Sequence, residues 1–138
     1  MQRAGQRLMV VMPHPDDECF GCASTIARYS AEGATVSLVT MTRDGAGLWN
    51  GRAPGDLRAL TDVRALELRD AAAELGVDFL EIFDYPDGAL ERVEEVEAVR
   101  TRFLGDVVRV LRSHRPQVVV TLDRRAPTVI RIIRSSAA

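Results

Sequence analysis

An α/β fold, with a parallel sheet flanked by helices, is predicted by three features of the 138-residue sequence. Short apolar runs rich in β-branched residues alternate with longer stretches whose apolar residues recur at helical spacing. That is the pattern of β-α-β units joined by right-handed crossovers. Glycines close two of the helical stretches, at Gly33 and Gly76. The segments that follow the strands are PHPDDE, TRDGAGLWNG, DYPDG and DRRAP, and three of the four are rich in polar side chains and glycine. Ligands of such sheets bind beyond the carboxyl ends of the strands.

Leu8 to Met12 is a short apolar run suited to a buried strand, stopped by Pro13. Asp16, Asp17 and Glu18 then open a helical pattern through Ile26 and Tyr29; acids suit a helix N-terminus. Ala34 to Met41 is the second strand. The Gly-rich loop after it carries Trp49 and ends at Asp56, an N-cap for a helix whose stripe is Leu57, Leu60, Val63, Leu66 and Leu75. Val77 to Phe83 is the third strand, followed by a turn. Glu91 to His114 is the longest helical pattern, with Val93, Val96, Val99, Phe103 and Val107 along one face. Gln117 to Leu122 is the fourth strand.

Composition narrows the function. The hydrophobic content of 46% supports one domain with a core, and no apolar run approaches the roughly 20 residues of a membrane span. Cys19 and Cys22 are too close in sequence for a long-range disulfide framework and are expected in the core of the first helix. A cytoplasmic protein is the expectation. All 18 basic residues are arginine. Residues 1–123 carry a net charge of −6 and residues 124–138 carry +4. An acidic body and a short basic tail without aromatic partners argue against nucleic-acid binding.

PHPDDE is the most informative segment. Pro13 and Pro15 restrict the backbone on both sides of His14, and three acids follow. One reading is a solvated turn with ordinary capping acids. The other is a cation site, because like charges this close repel unless a cation or proton relieves them. Imidazole nitrogen with carboxylate oxygen suits zinc or a similar divalent metal. A neighbouring unligated carboxylate could then take a proton from metal-bound water.

PHPDDE, TMTRDGAGLWNG, VRALELRDAAAELGV and FDYPDGAL occur in the order, and resemble the motifs, of the LmbE-like or PIG-L-like N-acetylglucosaminyl deacetylases. The resemblance covers residues 7–122. It implies a Rossmann-like (LmbE-like) fold and zinc-dependent removal of acetyl groups from small-molecule GlcNAc conjugates. By position, it makes His14 and Asp17 metal ligands and Asp16 the general base. It places Arg64 and Asp87 at the substrate. Read from the residues alone, Arg64 with Glu67 is equally a surface helix pair, and Asp87-Gly88 equally a turn.

The family's third ligand is the last histidine of a His-Pro-Asp-His motif just beyond the fourth strand. Here DRRAPTVIRIIRSSAA stands there, without histidine, and His114 precedes that strand at the opposite end of the sheet. The resemblance therefore implies a deacetylase truncated after about the fourth strand, with activity impaired by the missing ligand. The alternative is a non-catalytic α/β module whose acidic edge binds a metal or partner. Residues 1–123 read as the N-terminal part of the deacetylase domain and residues 124–138 as an atypical basic tail. TVIRIIR is expected to add a strand and partly cover an exposed sheet edge, through which the chain self-associates. The tail also reads as a frameshift. Ala126 to Arg134 can be written GCG CCT ACG GTC ATC CGG ATC ATC CGG, and one base earlier this spells Gly-Ala-Tyr-Gly-His-Pro-Asp-His-Pro.

Overall fold

The computed structural model describes residues 3–45, 57–88, 90, 95–123 and 126–134. Among the described residues, eight elements follow in order: β1 (Arg7–Met12), α1 (Asp17–Ala31), β2 (Thr35–Thr42), α2 (Leu57–Glu74), β3 (Phe79–Tyr85), α3 (Glu97–His114), β4 (Val118–Asp123) and β5 (Ala126–Arg134). They build one five-stranded sheet of order β3-β2-β1-β4-β5. The first four strands are parallel, and β5 runs antiparallel to β4. The parallel α/β sheet is as the sequence predicts.

The chain moves outward from β1 to β2 to β3 and then crosses back to β4. Right-handed crossovers therefore put α1 and α2 on one face and α3 on the other. Strands covered on both faces read as near-continuous apolar runs, and β1 shows it from Leu8 to Met12. Leu8, Val10 and Met12 point into a cluster with Cys22 and Ile26 of α1 and Leu68 and Ala72 of α2. Met9 and Val11 point the other way, toward a cluster formed by Phe83, Tyr85 and Val110. Each fully buried Leu, Met or Val side chain contributes about 1.5–3 kcal/mol.

Four expectations are corrected. α3 begins at Glu97 rather than Glu91, because Val96 is extended (φ −119°, ψ 106°) and serves as the N-cap. Residues 91–94 of the expected helix lie outside the described residues. Val96, expected on the packed face, is half exposed. The third strand starts at Phe79 rather than Val77, because Asp78 turns its carboxylate back to accept the Val36 N–H (2.7 Å). Cys22 is buried as expected, but Cys19 is exposed: α1 buries Glu18, Cys22 and Ile26, and Cys19 lies off that line.

The added strand is present and begins at Ala126, two residues before Thr128. Its register runs from Val118↔Arg134 to Leu122↔Ile130, with an irregularity before Asp123. The fourth strand is therefore an interior strand, and β3 and β5 form the edges. Trp49, Asp56 and Val93 lie outside the described residues.

Candidate active site

The site lies where the parallel strands end. Thr42, closing β2, donates both its backbone N–H and its hydroxyl to the Pro13 carbonyl, each at 3.0 Å, and so ties the proline loop to the neighbouring strand. Asp16, the N-cap of α1, has left-handed backbone (φ 95°) and makes no side-chain cap hydrogen bond. A non-glycine residue held there costs energy, and such strain gathers at functional sites. The ordinary-capping reading therefore fails for Asp16, whose carboxylate turns outward instead.

Asp17 Oδ2 accepts the His14 backbone N–H at 3.0 Å and lies 3.4 Å from His14 Nδ1. On the other side of the ring, His14 Nε2 is 2.8 Å from Asp87 Oδ1, brought in by the turn after β3. The hydrogen bond to Asp17 outweighs the opposing effect of burial. With the Asp87 carboxylate, it pushes the imidazole up to about 9. His14 is thus held between two carboxylates, one at each ring nitrogen.

Asp16 Oδ2 accepts Arg64 Nη2–H at 2.8 Å. Arg64 also donates Nε–H to Asp44 Oδ2 at 2.7 Å, and its Nη1 approaches Glu67 at 3.3 Å. Burial opposes the Arg64 charge, but hydrogen bonds to Asp44 and Asp16 overcome it and raise the pKa further. α2 thereby clamps together the loops that follow β1 and β2. Asp44 shares the positive φ of Asp16 (56°), and its N–H is held by the Thr42 hydroxyl at 3.2 Å.

Glu18 is 1% exposed. Its two oxygens accept the Asp16 N–H at 3.0 Å and the Cys19 thiol at 3.1 Å. Burial, followed by this hydrogen bond, pushes Cys19 up to about 11.

The structure brings together all five residues singled out from sequence: His14, Asp17 and Asp87 in one cluster, Asp16 and Arg64 beside it. His114 is at the far end of the strands, with Nδ1 3.1 Å from Ser37 Oγ, as its place in the sequence implies. Asp44 and Glu18 carry weight that sequence reasoning missed. The signal for Asp44 was its position in a loop at the ligand-binding edge. His14 and Asp17 have the right donor chemistry for zinc, but no group of three or more His, Cys, Asp or Glu arranged for a metal ion occurs among the described residues.

The fold and this edge define an α/β protein with a histidine–carboxylate site in the loops after β1 and β3. The PIG-L family, described as GlcNAc-PI de-N-acetylases, matches residues 9–129, and the chain belongs to it. It is 37% identical to a 1D-myo-inositol 2-acetamido-2-deoxy-alpha-D-glucopyranoside deacetylase of Streptomyces scabiei, over 89% of this chain and 43% of that protein. It is 36% identical to a mycothiol S-conjugate amidase of Streptomyces coelicolor, over 85% of this chain and 44% of that protein. Among solved structures it resembles the N,N'-diacetylchitobiose deacetylase of Pyrococcus horikoshii. The TM-score is 0.69 at 28% identity, covering 83% of this chain and 39% of that one. The chain spans less than half the length of these relatives.

Proposed function

We propose that this chain carries the metal-binding and base-bearing part of a zinc-dependent N-deacetylase acting on small GlcNAc conjugates. The observation that supports it most is the placement of His14 between Asp17 and Asp87, with Asp16 held beside them by Arg64. In this reading His14 and Asp17 hold the metal and Asp16 accepts the proton of the attacking water. Asp87 meets substrate hydroxyls, and Arg64 on α2 helps hold the substrate. A zinc ion held there supplies a Lewis acid for the amide carbonyl and makes water acidic enough to deprotonate near neutral pH. Arg64 fixes one Asp16 oxygen and leaves the other for the proton.

Catalytic zinc sites usually have three protein ligands, so two imply weak metal binding and impaired turnover. The frameshift reading of residues 124–138 accounts for the absent histidine, and the coding DNA tests it. Bases after the Asp123 codon that do not spell His-Pro-Asp-His in the neighbouring frame dispose of it. No described helix is long and apolar enough to cross a membrane, and the proposed setting is the cytoplasm.

Calorimetric titration of zinc into the metal-free chain tests the function. Binding of one equivalent, abolished by Asp17→Ala and accompanied by acetate release from a GlcNAc-inositol substrate, supports the enzyme. Binding without acetate release favours the alternative, a non-catalytic metal- or partner-binding module.

A further inference from the structure

One stripe of α3 faces away from the sheet. Glu97, Thr101, Leu104, Val108 and Arg112 recur at intervals of four, three, four and four, the spacing of a single helix face. All five are exposed, and Leu104 and Val108 are 50% and 40% exposed. Phe103, Val107 and Val110, which pack toward the sheet, lie on the other side of the helix. The apolar arc of α3 is therefore wider than its own sheet can cover.

We propose that this stripe pairs with the same stripe of a second copy, with the two α3 helices antiparallel about a two-fold axis. The stripe complements itself when reversed. Setting the two-fold axis between Leu104 and Gly105 places Glu97 against the partner's Arg112, Thr101 against the partner's Val108 and Leu104 against the partner's Gly105, each contact made twice by symmetry. Antiparallel helices also set the positive end of one macrodipole beside the negative end of the other. Gly105 lies at the crossing, where a Cβ would meet nothing within 4 Å, so the partner's Leu104 has room to approach.

Beside the stripe, a cavity of about 790 Å³ lies between α3 and the β4–β5 part of the sheet, lined by Phe103, Val107, Leu111, Val119 and Ile133. A partner helix along Leu104 and Val108 crosses its mouth and removes more apolar surface from water. The β5 edge is a poorer self-partner. Symmetric antiparallel pairing about Ile132 and Ile133 sets Arg131 opposite the partner's Arg134, and like charges directly opposite are unfavourable.

Sedimentation velocity of the full chain across a concentration series tests the pairing. The wild type is expected to show a monomer–dimer equilibrium. Leu104→Glu with Val108→Glu abolishes the dimer and leaves the circular-dichroism spectrum unchanged. Glu97→Arg alone and Arg112→Glu alone each weaken it by roughly tenfold, and the double charge swap restores it. A wild-type chain that stays monomeric overturns the proposal, as does a double swap no tighter than its single parents. Assembly abolished by Ile132→Asp but insensitive to Leu104→Glu moves the contact to the β5 edge and equally overturns it.

Discussion

On the face covered by α1 and α2, buried side chains from β1, β2, β4 and both helices meet in one continuous cluster. On the opposite face α3 stands alone, and beyond Met9, Val39 and Phe83 the sheet opens into the cavity beside β4 and β5. Two helices cover three strands well, whereas one helix leaves part of a five-stranded sheet bare. The candidate site belongs to the tight face, since α1 carries Asp17 and Glu18 and α2 carries Arg64. Precision sits where packing is closed.

The largest expected contrast is in stability. Leu68→Ala, on the closed face, should cost about 2–5 kcal/mol, because the cavity it leaves cannot collapse. Ile133→Ala, on the open face and half exposed, should stay within about 0.5 kcal/mol. Urea unfolding of the two variants checks this, and equal losses would dissolve the distinction.

Breaking the clamp comes next. Arg64→Gln leaves Asp16 and Asp44 without their shared cation and should cost roughly 1–3 kcal/mol. Hydrogen exchange should show loosening confined to the loops after β1 and β2, with α3 unaffected.

The α3 face has its own polar tie. Tyr85 donates to Asp106 at 2.6 Å, and burial followed by this bond pushes the phenol up to about 12. Its pKa is raised on folding, so the tie stabilises the fold fully below about pH 10, the ordinary tyrosine value. The contribution is lost as pH rises through 12. Alkaline absorbance titration should show one of the two tyrosines ionising late, and Asp106→Ala should bring it earlier.

The smallest effect is expected for Arg28→Ala. The Arg28–Glu32 pair (3.0 Å) is mostly solvated at the arginine and Glu32 keeps Arg3, so the urea midpoint should not move measurably.

How much of this was legible in the sequence follows from the range of each interaction. β1, β2 and β4 are short runs dominated by apolar and β-branched residues, so their positions were readable locally. The contact between His14 and Asp17 is three residues long and was readable too. Asp87 reached the site by resemblance, because nothing near residue 87 announces a partner 73 positions earlier. Asp44 was hidden for the same reason: its importance rests on Arg64, twenty residues on in another element. The start of α3 misled because Val96 is extended although the apolar period runs through it. Cys19 misled because one residue along a helix is a 100° turn away from the buried line.

The reversed direction of β5 has a practical consequence for handling the molecule. It returns the chain to the end of the sheet where β1 begins, with Leu8 opposite Val118 and Val118 opposite Arg134. Two strand spacings separate Leu8 from Arg134, roughly 10 Å. His14 and its carboxylates lie at the other end of the same strands. A surface anchor or fluorescent reporter fused before β1 or after β5 would therefore hold the protein by its back, with the candidate site facing solution.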